Sequence, residues 1–196
     1  VSFDEPAAGA FATIDYPRDQ WLGELLERLF ANINRCQHES GVVYWATDAL
    51  PLRKLKNYAA EFVFRDREHL LHLRTRPGVF SHRELDGGAR ALLKTMEIEP
   101  HARVLDLGSG SGAVGIAAAL RAPEVAVTAL DSNPRAVEAT LWAAERNRSS
   151  SVTVFLDCDG SSLQSHSIDL VLANPPYYSD FRIAELFVRT ATRALV

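Results

Sequence analysis

The residues best suited to chemistry form the tetrapeptide Asn174-Pro175-Pro176-Tyr177, which follows a short apolar run. Two successive prolines stiffen the backbone and force Asn174 into an extended conformation. The side-chain oxygen of Asn174 and the carbonyl oxygen of Pro175 can then both accept hydrogen bonds from one NH₂ group. Such bonding favours a rehybridised nitrogen that attacks an electrophilic methyl carbon. Tyr177 offers a flat face for stacking, so the tetrapeptide predicts a site for a planar NH₂ group.

A glycine-rich turn is the second candidate site. Asp106 ends an apolar run, and a helix begins near Ala113. Between them glycine recurs at alternate positions, at Gly108, Gly110 and Gly112, with Ser109 inside the turn. Glycine lets a ligand approach the backbone closely, and amide N–H groups at a helix N-terminus face that ligand. The turn therefore predicts a binding loop for a nucleotide-like cofactor.

An acidic residue strengthens this prediction. Asp131 ends the next apolar run, 25 residues after Asp106, and Ser132 follows it. A carboxylate at that point can bind both hydroxyls of a ribose. The alternative role of Asp131 is that of a helix-capping acid ahead of Pro134.

The same glycines allow a second interpretation. Gly110, Gly112 and Gly115 have the spacing of a dinucleotide-binding loop, so an NAD(P)-dependent dehydrogenase is an alternative. A dinucleotide loop does not require Asp106 ahead of its glycines, and nothing downstream indicates a hydride-transfer site. We therefore favour transfer of a methyl group over transfer of a hydride.

The elements that must position these sites alternate regularly. From Arg103 onward, apolar β-branched runs alternate with alanine-rich helical stretches, up to a last helix predicted near 181–194. This pattern predicts a doubly wound α/β domain with a mostly parallel sheet and helices on both faces. Asn133 or Ser132 is expected to cap a helix that has Pro134 in its first turn. Both candidate sites then lie at the carboxyl edge of the sheet.

The N-terminal part has a different pattern. Apolar residues at three- and four-residue intervals predict a helix from Asp19 through Ile33. The run VVYWAT after Gly41 predicts a buried strand, and Pro51 is expected to open a short helix through Lys56. Alternating apolar residues on both sides of 66–68 predict a hairpin. We thus expect an α/β extension over residues 1–75, ahead of the main domain at 76–196.

Composition is that of a globular protein. The chain has 196 residues, of which 47% are hydrophobic and 23% charged. No apolar run approaches the roughly 20 residues that cross a bilayer, and the first residues lack the features of a signal peptide, so we predict a cytoplasmic location without membrane association. Cys36 and Cys158 match no metal-ligand spacing, so we expect buried free thiols and no metal site. The sequence leaves the oligomeric state open.

Charge is distributed unevenly along the chain. The net charge is −4, yet residues 51–90 carry nine Lys or Arg against five Asp or Glu. Among the basic residues of this stretch are Arg53, Lys54, Lys56, Arg65, Arg67, Arg74, Arg76 and Arg83. The stretch suits a nucleic-acid phosphate backbone or forms an ordinary solvated face. A non-catalytic RNA-binding module is therefore a further alternative.

Two motifs carry a family resemblance. With D-L-G-S-G-S-G in the first strand-to-helix turn and N-P-P-Y after the fourth strand, the chain resembles the class I, Rossmann-like methyltransferases. The string PGVFS at 77–81 is similar to the segment before the catalytic domain in the ribosomal RNA guanine-N2 methyltransferases of the small-domain family. The resemblance covers residues 76–195. It implies S-adenosylmethionine as cofactor, guanine N2 as methyl acceptor and ribosomal RNA or a ribosomal subunit as partner.

The resemblance also implies residue roles. Phe80 would contact the methionine part of the cofactor, Gly108, Ser109, Gly110 and Gly112 would line its loop, and Asp131 would hold its ribose. Asp159 fits the polar position near the adenine better than Asp157 does. Tyr177 is typical of adenine- and glutamine-directed relatives, so these two acceptors are alternatives to guanine.

A last implication concerns completeness. The sheet of the family continues past its fourth strand, so we expect the catalytic domain to be truncated at its carboxyl end. The order of elements predicted over 16–75 is the order expected after N-P-P-Y in a complete domain, with Tyr16-Pro17 as a remnant of that motif. Residues 1–75 are thus interpreted as the tail of a degenerate first domain, which packs separately or lends strands to the catalytic sheet.

Overall fold

The computed structural model describes residues 9–51, 57–176 and 181–196. The chain forms two compact units, Val1–Asn57 and Tyr58–Val196. The predicted helix over 51–56 lies outside the described residues except for Pro51, and so do Arg53, Lys54 and Lys56. The division falls before the hairpin, whereas we had expected it after residue 75.

Within its described residues, the first unit contains four elements. They are β1 (Gly9–Ile14), α1 (Trp21–Glu27), β2 (Phe30–His38) and β3 (Gly41–Ala49). The strands form an antiparallel sheet in the order β1-β3-β2. The Asp19 carboxylate accepts the N–H of Leu22 (3.2 Å) at the start of α1 and the hydroxyl of Tyr44 (2.9 Å) on β3.

The helix predicted from Asp19 to Ile33 is wrong in its second half. α1 ends at Glu27, and Phe30 and Ile33 lie in β2, where they pair with Ala49 and Ala46 of β3. Phe30 and Ile33 still pack against a core that contains Leu26. Phe30 and Ile33 are apolar because they face the same core as α1. Pairing with β3 makes them a strand although their spacing fits a helix. Strand β1 had not been predicted.

The second unit contains the alternating elements. They are β4 (Ala60–Asp66), β5 (His69–Thr75), α2 (Gly87–Thr95), β6 (Arg103–Leu107), α3 (Ala113–Arg121), β7 (Ala126–Asp131), α4 (Pro134–Arg146), β8 (Val152–Leu156), β9 (Leu170–Ala173) and α5 (Arg182–Ala194). The last four strands form a parallel sheet in the order β8-β7-β6-β9. The predicted Rossmann-like α/β fold is confirmed.

The predicted hairpin is also confirmed, as β4 and β5. Leu71 and Leu73 of β5 are completely buried in the core of the second unit. Arg121 on α3 forms a buried ion pair with Asp66 of β4 at 2.6 Å. The side chain of Asn147 donates to the carbonyl of His72 (2.7 Å) and accepts its N–H (2.9 Å). These contacts explain why the hairpin belongs to this unit.

The four-stranded sheet takes its strands from the second half of the chain. Among the described strands, none from residues 9–75 is hydrogen-bonded into it. The interpretation of residues 1–75 as the tail of a degenerate domain stays a prediction.

Two composition-based expectations can be compared with the structure. Cys36 and Cys158 are unpaired, as expected, but both are exposed, so the prediction of buried thiols was wrong. Cys36 lies on β2, whose residues 34–38 are all exposed, and Cys158 follows the carboxyl end of β8. No helix in the described ranges is long and apolar enough to span a membrane.

Candidate active site

A cleft of about 600 Å³ opens at the carboxyl edge of the parallel sheet. This volume lies within the range of about 300–1,000 Å³ that is usual for small-molecule sites. Parallel strands bring their carboxyl ends to the same edge, so the turn after β6 and the end of β7 meet there. The cleft is also lined by the segment before α2, by the residues after β8 and β9, and by α5.

The turn after β6 has a backbone conformation that favours glycine at three positions. Gly108, Gly110 and Gly112 have φ values of 78°, 56° and 82°, in the left-handed region that other residues rarely adopt. A Cβ atom at Gly108 would also lie 2.9 Å from the ring of Phe187, and one at Gly112 would lie 3.1 Å from the Cα of Thr140. The turn thus presents bare backbone to the cleft.

Ser109 is buried inside the turn. Its hydroxyl lies 3.1 Å from that of Thr140 on α4, and its N–H donates to the carbonyl of Leu130 on β7 at 2.9 Å. Ser109 therefore fixes the turn to the neighbouring strand and helix as well as lining the cleft.

Asp131 fixes the same turn from β7. One of its carboxylate oxygens accepts the N–H of Gly110 and the other that of Asn133, both at 2.8 Å. Asn133 is the N-cap of α4 and accepts the N–H of Arg135 at 3.0 Å, with Pro134 in the first turn, so the predicted helix start is confirmed. Asp131 lines the cleft beside the exposed Ser132. Its role toward a ribose stays a prediction.

Asp106 is buried at the base of the cleft. Its carboxylate accepts the N–H of Gly115 at 2.9 Å, and a Cβ atom at Gly115 would lie 2.7 Å from its Oδ2 atom. Gly115 is therefore required to make room for Asp106. Burial raises the pKa of the Asp106 carboxyl, the hydrogen bond from the Gly115 N–H lowers it and the nearby charge of Asp131 raises it, and the net result is a pKa of about 7.

This raised pKa predicts a pH-dependent stability. Between the usual carboxyl pKa and about 7, the folded protein keeps a proton on Asp106 that the unfolded chain has released. The free energy of unfolding therefore falls as pH rises through this window. Asp106→Asn removes the titrating group, so its stability relative to the unsubstituted protein should be greater at about pH 8 than at about pH 5, as measured by urea unfolding.

A matched control is Asp169→Asn. Hydrogen bonds from Arg103 lower the pKa of the Asp169 carboxyl to about 2, so this group titrates below the range tested. Its substitution should change stability equally at both pH values. If the stability difference between Asp106→Asn and the unsubstituted protein is also the same at both pH values, the raised pKa of Asp106 is contradicted.

Asn174 is held by a residue that the sequence had not singled out. Asp86 is the N-cap of α2, and its Oδ2 atom accepts the N–H of Gly88 at 2.9 Å and that of Ala89 at 3.3 Å. The same oxygen accepts the side-chain amide of Asn174, also at 2.9 Å. An aspartate ahead of a helical pattern does indicate an N-cap, but its contact with a residue 88 positions away has no sequence signal.

The rest of the tetrapeptide is described only in part. Asn174 and Pro176 line the cleft, and Pro175 is not among its lining residues. Tyr177 lies outside the described residues, so its stacking role stays a prediction.

The segment PGVFS reaches the cleft from the other side. Phe80 lines it with 46% of its surface exposed, next to the buried Val79. The start of α4 holds the segment, because Asn133 donates to the carbonyl of Gly78 (2.7 Å) and Arg135 to that of Pro77 (2.6 Å). The position of Phe80 leaves its ring available to a ligand.

After β8, Asp157 lines the cleft and Asp159 does not appear in its lining. Asp157 comes directly after the strand, and the Asp159 side chain turns to the N–H of Ser161 at 2.9 Å. Desolvation by itself would raise the pKa of the Asp157 carboxyl, but hydrogen bonds from Ser162, Asp159 and Gly160 outweigh it and hold the pKa well below its usual range. Asp157 is therefore anionic at the cleft, and both of its carboxylate oxygens accept hydrogen bonds from the loop that follows it.

The predicted absence of a metal is not tested by the structure. Asp157, Cys158 and Asp159 offer ligand atoms within 4.8 Å of one another. Exposed acidic groups commonly cluster in this way without an ion, and we assign no ion to them.

Residues 70–196 match the family model of the methyltransferase small domain. The chain is 32% identical over 152 residues to the ribosomal RNA small subunit methyltransferase C of Pseudomonas putida (strain W619), covering 78% of this chain and 44% of that protein. Its identity to the protein of that name in Haemophilus influenzae (strain PittGG) is 31%, covering 70% and 41%. The chain thus spans less than half the length of these curated relatives.

One solved structure has the same fold over nearly the whole chain. It is the T. thermophilus 16S rRNA N2 G1207 methyltransferase (RsmC) in complex with AdoMet and guanosine. The TM-score is 0.78 at 19% sequence identity, and the match covers 95% of this chain and 53% of that one.

Proposed function

The chain belongs to the methyltransferase small-domain family, and on that premise we propose that it transfers a methyl group from S-adenosylmethionine to the N2 amine of guanine in ribosomal RNA. The observation that carries the proposal is that one cleft brings together the glycine turn, Asp131 and the Asn174 amide. A cofactor loop and an amine acceptor site on the same cleft are what such a transfer needs.

The cleft residues suit this cofactor. The turn over 108–112 brings the backbone of Gly108 and Gly110 to the cleft, where a side chain at Gly108 would clash with the ring of Phe187, and Asp131 stands beside it. Gly112 packs on Thr140 of α4 and is not among the lining residues. We propose that Phe80 contacts the methionine part and that Asp131 holds the ribose. We propose Asp157, in place of Asp159, for the polar contact near the adenine, because Asp157 lines the cleft. Asp106, Ser109 and Ser132 complete the cofactor site.

The dehydrogenase alternative loses support from the same geometry. The dinucleotide-loop spacing includes Gly115. The close approach of the Asp106 carboxylate explains why position 115 is a glycine without any dinucleotide. A thermal-shift comparison of S-adenosylmethionine with NAD(P) separates the two functions. If neither ligand raises the unfolding temperature and the protein binds RNA in a salt-sensitive way, the non-catalytic RNA-binding module is favoured instead.

The mechanism follows from the acceptor groups. S-adenosylmethionine supplies an electrophilic methyl group when it is bound. We propose that Oδ1 of Asn174 and the carbonyl oxygen of Pro175 accept the two hydrogens of the guanine amine, which frees the nitrogen lone pair from the ring. No side chain needs to remove a proton first, since the methylated amine cation is acidic and releases its proton to water. Orientation then carries the rate, and it can contribute roughly 7–11 kcal/mol.

The choice of guanine in ribosomal RNA rests on the relatives. The curated relatives are named ribosomal RNA small subunit methyltransferases, and the solved structure of similar fold holds guanosine. Exposed arginines at the hairpin turn, Arg65 and Arg67, suit contact with the phosphate backbone. Arg65 also donates to the carbonyl of Glu68 at 3.5 Å. Arg76 and Arg74 contact side chains of α4, because Arg76 pairs with Glu138 at 3.1 Å and Arg74 lies over the ring of Trp142. A cytoplasmic location is part of the same proposal, because ribosomal subunits are found there.

The acceptor class is tested by labelling. The protein is incubated with cofactor carrying a labelled methyl group and, in separate reactions, unmethylated small ribosomal subunits, transfer RNA or a release factor. We expect label in the ribosomal RNA. Label in transfer RNA would contradict the ribosomal acceptor, and nucleoside analysis would then distinguish adenine from guanine. Label in the release factor would favour the glutamine acceptor that Tyr177 keeps open.

A further inference from the structure

We propose that Asp86 is a positioning residue that fixes the orientation of the Asn174 amide, and that Gly88 leaves the space in which this amide sits. The inference rests on the proposed function, because it concerns the group that receives the substrate amine. Asp86 lines the cleft, and the inference gives Asp86 and Gly88 a role that is exerted through Asn174.

Asp86 accepts hydrogen bonds from both α2 and Asn174. Its Oδ2 atom accepts two backbone N–H groups at the start of α2, those of Gly88 and Ala89, and the Nδ2 atom of Asn174. The two backbone bonds fix the carboxylate on the first turn of a nine-residue helix. The acceptor that Asn174 contacts is therefore held in place by α2, independently of Asn174.

The Asp86 carboxylate also sets the direction of the Asn174 amide. A carboxylate only accepts hydrogen bonds, so it selects the NH₂ side of Asn174. Because the amide is planar, Oδ1 then lies on the other side of Cγ. In the reversed orientation, Oδ1 would face the carboxylate and the NH₂ group would face the substrate amine, donor against donor. Asp86 thus keeps Asn174 in the only orientation that accepts from an amine.

The Asn174 amide packs tightly against α2 at Gly88. A Cβ atom at Gly88 would lie 2.1 Å from Oδ1, 2.6 Å from Cγ and 2.8 Å from Nδ2 of Asn174. All three distances are shorter than real Cβ contacts, so any side chain at 88 displaces the amide. A Cβ atom at Gly87 would meet nothing within 4 Å. Only the second of these adjacent glycines is required by Asn174.

The test of Asp86 uses two substitutions. In Asp86→Ser the helix keeps a favoured N-cap residue, but the shorter side chain cannot cap α2 and reach Asn174 together. We expect kcat to fall about 10- to 100-fold, as a displaced reacting group does, with little change in KM for RNA or Kd for S-adenosylmethionine. Asp86→Asn offers an oxygen in the same place and should restore most of kcat.

The adjacent glycines provide a matched pair. Gly88→Ala and Gly87→Ala both add one methyl group to the first turn of α2, where alanine is a good helix former. We expect Gly88→Ala to lower kcat by about the same factor as Asp86→Ser. Gly87→Ala should leave kcat unchanged. Equal loss in both variants would indicate a general effect on the helix and overturn the proposal.

A double-substitution cycle separates positioning from stability. In a chain that already carries Asn174→Ala, neither Asp86→Ser nor Gly88→Ala should lower the residual kcat further, because the amide they position is absent. A further fall of the same size as in the unsubstituted protein would overturn the proposal. Unfolding temperatures of all variants are measured in parallel so that rates are compared between folded proteins.

A readout independent of activity keeps this inference distinct from the proposed function. The side-chain ¹⁵N–¹H signal of Asn174, identified by its loss in Asn174→Ala, should shift in Asp86→Ser and stay in place in Gly87→Ala. If the unsubstituted protein methylates no acceptor, the proposed function fails while this signal still reports on Asp86. A signal unaffected by Asp86→Ser would overturn the positioning role.

Discussion

Replacing Asn174 with alanine is expected to lower the turnover number for methyl transfer about 10²–10³-fold, the loss typical of removing a preorganised group that acts in the transition state. The Kd for S-adenosylmethionine should change little. The amide oxygen of Asn174 is an acceptor for the reacting amine, and its bond strengthens as the nitrogen rehybridises. Interactions that strengthen only in the transition state appear in kcat and not in ground-state binding.

Single-turnover rates with saturating cofactor, combined with calorimetric titration of the cofactor, separate these two effects. Asn34→Ala is a suitable control, because Asn34 is an exposed residue of β2 in the first unit. The control should leave both quantities unchanged. A loss of cofactor affinity as large as the loss of rate in Asn174→Ala would show that Asn174 serves binding, contrary to our assignment.

Replacing Asp131 with alanine is expected to have the reverse effect. Hydrogen bonds to a charged group contribute about 1.5–3 kcal/mol, so the Kd for S-adenosylmethionine should rise roughly 10- to 150-fold. The carboxylate accepts the N–H groups of Gly110 and Asn133, and its remaining lone pairs can accept the ribose hydroxyls. At saturating cofactor the turnover number should fall far less than in Asn174→Ala.

The control for this prediction is Asp131→Asn, which keeps one acceptor oxygen and one of the two backbone bonds. Its Kd should lie between those of the unsubstituted protein and Asp131→Ala. Thermal unfolding of the variants without cofactor shows how much of the change comes from a loosened glycine turn. An unchanged Kd in Asp131→Ala would exclude the ribose contact.

The sequence predicted the second unit well because its local and global signals agree. Apolar β-branched runs became β6, β7, β8 and β9, and the Asn133-Pro134 pair began α4 as predicted. The glycine turn could also be predicted from the sequence, because a left-handed backbone and close contact with neighbouring atoms both favour glycine. Where one residue type is required by geometry, its presence is informative.

Other features depended on contacts between distant residues. The apolar spacing of Leu26, Phe30 and Ile33 fits a helix, but these residues share a core through a strand that pairs with β3. Which of Asp157 and Asp159 lines the cleft depends on the residue at which β8 ends. Asp86 was missed because its contact with Asn174 depends on tertiary packing. Local periodicity does not encode any of these.

The measurement that tests the central claim most directly is mass spectrometry of the nucleosides from small-subunit ribosomal RNA after incubation with the protein and S-adenosylmethionine. The proposed function predicts N2-methylguanosine in the reaction with the unsubstituted protein and far less of it with Asn174→Ala. Methylated adenosine in its place, or no methylated nucleoside in a reaction where the protein binds the cofactor, would contradict guanine-N2 methylation of ribosomal RNA.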